Sequence, residues 1–145
     1  MHDLPRQLTV EELEELFEGR TRFVELLAER TDPLGAAPDV IAELSETEKL
    51  EALNSHPAIG ARGLSARSAE EQGPDAEPVV QTELAYLNQV YEEKNGFRFV
   101  VFVNRRPKAE ILDVLRERLE RTREEELETA LGELVAIARD RWERR

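Results

Sequence analysis

The run Phe97-Arg98-Phe99-Val100-Val101-Phe102-Val103 is the one stretch of this chain with the β-branched and aromatic density of a buried strand. One strand has nothing to pair with, and its backbone N–H and C=O groups still need partners. A sheet is therefore excluded. The run is expected as an extended or partly helical piece threaded through a helical core, which the rest of the chain must supply.

Elsewhere, apolar residues recur at helical spacing. Thr9 with Glu12 is a capping-box pair, followed by Val10, Leu13, Leu16 and Phe17. Gly19 is a candidate interruption, after which Phe23, Leu26, Leu27 and Arg30 extend the pattern. Thr31 to Pro38 carries two prolines and a glycine and reads as a loop. Ser45 with Glu48 opens a short helix through Leu53. Ser68 with Glu71 is a third capping box, before a break at Gly73, Pro74 and Pro78. The stripe Val80, Leu84, Leu87, Tyr91 predicts a helix closed by Asn95-Gly96. After Pro107, Ile111, Leu112, Leu115 and Leu119 share a face, and a last helix from about Arg123 carries Leu127, Leu131, Leu134 and Ala138, joined by Ile137. The expectation is all-α: a single compact domain, residues 1–145, of about six to eight helices. A chain of 145 residues buries roughly 68–70% of its unfolded surface, enough for one core without staples.

Composition removes several function classes. The formal charge of −12 argues against nucleic acid, whose binding needs a cationic face to release counterions. There are no cysteines, which excludes disulfides and thiolate metal sites and fits a reducing compartment. His2 and His56 are the only histidines, too few for a multi-histidine metal site. No apolar run approaches the ~20 residues of a membrane span. Met1 to Leu8 lacks the character of a signal peptide, and the ending Trp142-Glu143-Arg144-Arg145 is not a peroxisomal tripeptide. A soluble, cytoplasmic protein that binds neither nucleic acid nor membrane is expected.

Three places break the pattern of ordinary amphipathic helix. In His56-Pro57-Ala58-Ile59-Gly60 the proline pushes His56 away from helix. That geometry can aim an imidazole into a cleft, and histidine titrates near neutrality, as proton transfer requires. From spacing alone it is more often the form of an ordinary helix stop. In Ser68-Ala69-Glu70-Glu71-Gln72 a capping box accounts for Ser68 and Glu71 but not for Gln72, and a helix start can hold an anion on its N–H groups. The run from Tyr91 to Val103 offers an apolar wall with backbone polar groups, which suits a small planar ligand. It is also simply core.

Read together, these pieces resemble the 2-oxo-4-hydroxy-4-carboxy-5-ureidoimidazoline (OHCU) decarboxylase family, from about Leu8 to Trp142. The most specific parts are His-Pro-x-Ile-Gly at residues 56–60 and Ser-x-x-Glu-Gln at 68–72, with Leu87-Asn88, Tyr91 and Gly96-Phe97-x-Phe99-Val100-Val101 downstream. Arg118-Leu119 and the stretch Leu134 to Arg141 are similar to the family's C-terminal helices. The resemblance implies a helical single domain, a homodimer, and a small-molecule substrate decarboxylated to (S)-allantoin without metal or organic cofactor. It matches His56 to the catalytic proton donor and Glu71 to the catalytic carboxylate. Pro57, Ser68, Gln72 and Phe99 are matched to substrate-binding positions, as are Val100, Val101 and Phe102, which fall where the family's main chain meets the ring. Arg141 is matched to a C-terminal substrate arginine, with Arg139 the alternative. Departures are Asn95 in place of an aromatic before Gly-Phe, Arg121 where asparagine is frequent, and Gly-Pro-Asp-Ala-Glu-Pro after Gln72.

The expected arrangement brings the His56 imidazole and the Glu71 carboxylate to one dry cavity, where the carboxylate favours the imidazolium. Two other functions fit less of the sequence: a family relative acting on another ureido or imidazoline compound, and a non-enzymatic acidic helical interaction module.

Overall fold

A computed structural model describes residues 7–57 and 77–144. Among them are seven helices and no strand: α1 (Val10–Phe17), α2 (Arg22–Leu27), α3 (Pro33–Glu43), α4 (Glu46–Asn54), α5 (Pro78–Asn95), α6 (Lys108–Arg118) and α7 (Arg123–Glu143). The chain divides into two compact units, one of residues 1–56 with 131–145 and the other of residues 57–130. No helix among the described residues is long and apolar enough to cross a membrane.

In the first unit, α2 packs on α1, α3 and α4. Leu13, Leu16 and Phe17 of α1 are buried, as are Phe23, Val24 and Leu27 of α2. The Phe17 and Phe23 rings meet edge to face at 5.3 Å. Two of the three expected capping boxes fall among the described residues, and both form. Thr9 Oγ1 accepts from the Glu12 N–H at 3.1 Å while the Glu12 carboxylate accepts from the Thr9 N–H at 3.0 Å. Ser45 and Glu48 repeat this at 3.1 and 2.8 Å. Each satisfies N–H groups that a helix start leaves without intrahelical partners.

The segment from Thr31 to Pro38 is not the expected loop. Asp32 caps α3, its carboxylate accepting from the Gly35 N–H at 3.2 Å. Pro33 occupies the first helical turn, where a missing N–H costs nothing. Pro38 lies inside the helix. It cannot donate to the Leu34 carbonyl four residues back. The Arg139 guanidinium takes that carbonyl instead, at 2.7 Å.

In the second unit α5 packs on α6. Helix α5 stops at Gly96, which has the left-handed φ of 80° that glycine adopts without strain. The expected C-terminal stop therefore stands where the sequence placed it. A further capping box, not anticipated, precedes α7: Thr122 Oγ1 accepts from the Glu125 N–H at 3.1 Å, and the Glu125 carboxylate accepts from the Thr122 N–H at 3.0 Å. Along α7 the buried positions include Glu126, Ala130, Leu131, Leu134, Ile137 and Ala138. Leu127, expected in that stripe, is only half-buried.

Candidate active site

His56 follows α4 directly. The helix ends at Ser55, and the His56 N–H still reaches the Leu53 carbonyl at 3.2 Å, so the last turn tightens before Pro57 halts it. The histidine is buried, with 9% of its surface exposed. Its neighbourhood is closely built: an added Cβ at Gly19 would lie 2.8 Å from Ser55 Cβ, so glycine allows that approach. The Glu51 carboxylate accepts from the Arg22 N–H at 2.9 Å, tying the start of α2 to α4. Pro57 is half-buried.

Also in the first unit, Arg141 is buried on α7. It donates to the Leu16 carbonyl at 2.8 Å and to the Glu18 carboxylate at 3.3 Å, on the last turn and the cap of α1. Glu18 is held at a left-handed φ of 56°. Both arginines considered for the substrate thus have structural partners: Arg141 at the end of α1, and Arg139 at the carbonyl left by Pro38. Ser68, Glu71 and Gln72 lie outside the described residues, and so does the expected third capping box.

Phe99, Val100, Val101 and Phe102 fall together in the second unit, in a segment between α5 and α6 that is neither helix nor strand. Phe97, Phe99, Val100, Val101 and Val103 are buried, whereas Phe102 is half-buried. The Tyr91 ring stands edge-on to Phe97 at 5.9 Å and to Phe99 at 5.2 Å. Arginines hold the carbonyls of this segment. Arg118 Nη1 donates to the Val100 carbonyl at 2.8 Å. Arg106 donates to the Phe102 carbonyl at 2.6 Å through Nη2 and to the Val103 carbonyl at 3.0 Å through Nε. Between them Asn104 and Arg105 turn the chain at left-handed φ values of 49° and 63°.

Behind Val100 lies a charged network. Glu126, fully buried, accepts from Arg118 Nε at 2.7 Å and from the Tyr91 hydroxyl at 2.6 Å. Arg121 approaches its second oxygen at 3.1 Å. The Arg118 guanidinium also lies 4.7 Å above the Phe99 ring. Burial raises the Tyr91 phenol well above the ordinary tyrosine value, and its hydrogen bond to Glu126 raises it further against the pull of Arg118. Tyr91 is therefore a neutral donor here, not a base. Arg121, one of the departures from the family pattern, supplies a second cation to Glu126.

Sequence reasoning missed the network of Arg118, Glu126 and Arg106. A signal for it existed: Arg118 continues the buried face of α6 marked by Ile111 and Leu115, and Glu126 stands four residues before Ala130 on α7. A charge on an apolar helical stripe is expected to be paired. Among the described residues no group of three or more histidine, aspartate, glutamate or cysteine side chains could hold a metal ion. The first unit offers a buried imidazole after α4 and the fixed guanidinium of Arg141; the second offers a main-chain segment held by cations.

Comparison with known proteins places the chain. A sequence profile of the OHCU decarboxylase family matches residues 2–143. The 2-oxo-4-hydroxy-4-carboxy-5-ureidoimidazoline decarboxylase of Halalkalicoccus jeotgali is 34% identical over 113 residues, covering 74% of this chain and 64% of that protein. The uric acid degradation bifunctional protein of a Bacillus species is 32% identical over 105 residues, covering 69% of this chain and 21% of that protein. The chain therefore spans less than two thirds of the length of these relatives. A crystal structure of OHCU decarboxylase in the presence of (S)-allantoin matches with a TM-score of 0.76 and 26% identity, over 91% of this chain and 94% of that one. A crystal structure of (S)-allantoin synthase shares the fold, with a TM-score of 0.69 and 23% identity over 92% of this chain and 48% of that one. The profile match runs almost from end to end, and on that ground the chain belongs to the OHCU decarboxylase family.

Proposed function

We propose that this chain is a cofactor-independent carboxy-lyase that converts OHCU to (S)-allantoin and carbon dioxide. The observation that carries the reading is the family profile across residues 2–143, a span that includes both the His56 and the Glu71 signatures. The same span supports treating residues 1–145 as one family domain.

The substrate carries its own electron sink. The carbon that bears the carboxylate also bears a hydroxyl and adjoins a ring C=N. As the bond to carbon dioxide breaks, its electron pair forms a double bond to the neighbouring ring carbon, and the C=N electrons pass to nitrogen, which takes a proton. The resulting enol then loses its hydroxyl proton, and the neighbouring carbon gains one on a single face, giving allantoin. The protein must hold the carboxylate out of the ring plane, receive the hydroxyl proton and see two delivered, one to ring nitrogen and one to carbon, a net uptake of one. Orientation of this kind contributes several kcal/mol, and general acid–base help about 10²–10⁴-fold. In this reading His56 delivers the proton and Glu71 is the partner carboxylate. Pro57, Ser68, Gln72 and Phe99 bind substrate, and the main chain of residues 100–102 orients the ring. Arg141 is assigned to substrate over Arg139, because Arg139 is exposed while the Arg141 guanidinium is buried and fixed on α1. Buried His56 supports its role, since a desolvated imidazole exchanges protons with a ligand rather than with bulk water.

The test is turnover of freshly generated OHCU, followed by the circular dichroism of (S)-allantoin. His56→Ala and Glu71→Ala should each abolish enantioselective product formation and leave the far-ultraviolet spectrum unchanged. Near-normal activity in either variant refutes the assignment. A second reading, a family member acting on a different ureido or imidazoline compound, is favoured by one observation. Asn95, where an aromatic is usual, is buried beside the segment and donates to the Tyr91 carbonyl at 3.2 Å. Comparing substrates separates the two. We further assign the protein to the cytoplasm, which its lack of cysteine fits, and to a homodimer, which sedimentation would test.

A further inference from the structure

We propose that Arg118 is a positioning residue for the reaction, which by gripping the Val100 carbonyl fixes the direction in which the Val101 amide N–H meets the substrate ring. The inference rests on the reading above, in which the main chain of residues 100–102 contacts that ring.

Peptide planarity carries the argument. No described peptide bond is cis, so the Val101 N–H points opposite to the Val100 C=O within one rigid plane. Whatever fixes the carbonyl fixes the amide. The Val100 carbonyl is held at 2.8 Å by a guanidinium that is itself over-determined. Its Nε is bound to Glu126 at 2.7 Å, and its face lies 4.7 Å from the Phe99 ring. Glu126 is in turn oriented by the Tyr91 hydroxyl at 2.6 Å. The planar fork of arginine binds two acceptors at once in fixed geometry, so Glu126 sets the plane and Nη1 delivers it to Val100.

A purely structural role explains this less well. A buried ion pair is weak grounds for stability, because apolar residues of similar volume often serve equally well. What apolar residues cannot do is orient a main-chain carbonyl. A peptide that binds a planar heterocycle needs that orientation, since a misdirected N–H loses its hydrogen bond to the ring in ground state and transition state alike.

Arg118→Lys is the discriminating variant. It keeps a cation for Glu126 and loses the two-acceptor fork. With OHCU, KM is expected to rise roughly 10–100-fold while kcat changes by less than about 3-fold, the pattern of lost ground-state and transition-state binding together. The enantiomeric excess should fall as well. Arg116→Lys, the same exchange at an exposed position of α6, should leave KM unchanged. In ¹⁵N-labelled protein the Val101 amide resonance should move in Arg118→Lys. A folded Arg118→Lys protein with wild-type KM, or with an unmoved Val101 resonance, overturns the proposal. If that variant does not fold, the unaltered protein decides. Its Arg118 guanidinium protons should be resolved and slow to exchange, and a freely rotating, averaged guanidinium overturns the proposal. Absence of turnover by the unaltered enzyme would instead refute the proposed function, and the Val101 resonance would still report on the grip.

Discussion

Replacing Glu126 by alanine removes a fully buried carboxylate that accepts from Tyr91 at 2.6 Å and from Arg118 at 2.7 Å. Arg118 is 5% exposed and keeps its main-chain acceptor, the Tyr91 hydroxyl at 3.5 Å and its aromatic faces, but no counter-charge from Glu126. Breaking a buried pair from one side costs ~3–5 kcal/mol. A buried hydroxyl left without an acceptor adds ~1–3 kcal/mol, although the two losses share one network and do not sum fully. A destabilisation of about 4–6 kcal/mol follows. At a urea dependence of ~2 kcal/mol per molar, the midpoint should fall by roughly 2–3 M. Glu126→Gln retains one acceptor oxygen and should cost about half as much. The paired replacement Arg118→Met with Glu126→Leu should recover only the charge part of that loss, roughly 2 kcal/mol, because no charge is then buried alone while the Tyr91 hydroxyl and the Val100 carbonyl still lack partners. Urea unfolding followed by far-ultraviolet circular dichroism reads all three. Coincidence with Trp142 fluorescence checks that one transition is being measured. A loss below ~1 kcal/mol in Glu126→Ala, or a paired variant as unstable as the single one, refutes the reasoning.

Tyr91 gives a pH prediction. Its folded value is raised by burial and by Glu126, above the ~10 of an unfolded tyrosine. Between those two values the native state holds the proton and the unfolded state does not, so the stabilisation is complete below about pH 10 and is lost as pH climbs toward the folded value. Alkaline unfolding should show it, with Tyr91→Phe flattening the decline, and phenolate absorbance of Tyr91 should appear only with loss of helix. The Arg139 contact predicts a compensation: Arg139→Met alone should cost ~1–2 kcal/mol through the abandoned Leu34 carbonyl, and Pro38→Ala in the same chain should cancel most of that loss by restoring the helical donor. Thermal melts of the two single variants and the double variant measure the coupling, and strict additivity would show that Arg139 does not serve that carbonyl.

What could be read from the chain followed local physics. Thr9 with Glu12 and Ser45 with Glu48 are complete in four residues, so both boxes stand where the spacing puts them. Asn95-Gly96 ends α5 because only glycine adopts φ 80° freely. The start of α3 was misread because two prolines and a glycine look like a loop in sequence. Pro33 is in fact acceptable in a first turn, and Pro38 is tolerated through a guanidinium 101 residues further along the chain. The network behind Val100 escaped for the same reason. Arg118, Glu126 and Tyr91 meet only after α5, α6 and α7 have packed, and no spacing within one helix announces them. The turn at His56 was legible from its proline, and the burial of segment 97–103 from its composition. The groups that fix that segment were not.

Those groups also explain how a helical protein can bury a stretch with the composition of a strand. A strand in a sheet finds partners for its carbonyls in its neighbours, and segment 97–103 has no neighbouring strand among the described residues. Buried carbonyls without partners are costly. Arg118 and Arg106 supply the missing donors at Val100, Phe102 and Val103. The same device recurs at helix ends, whose last carbonyls also lack partners: Arg141 at Leu16 of α1, Arg123 at Asn95 of α5, and Lys94 at Leu119 and Arg121 beyond α6. In a chain with 32 acidic and only 20 basic residues, these cations are engaged with main chain and are not free to neutralise the acidic surface. The net charge of −12 is thus compatible with a backbone locally surrounded by positive groups.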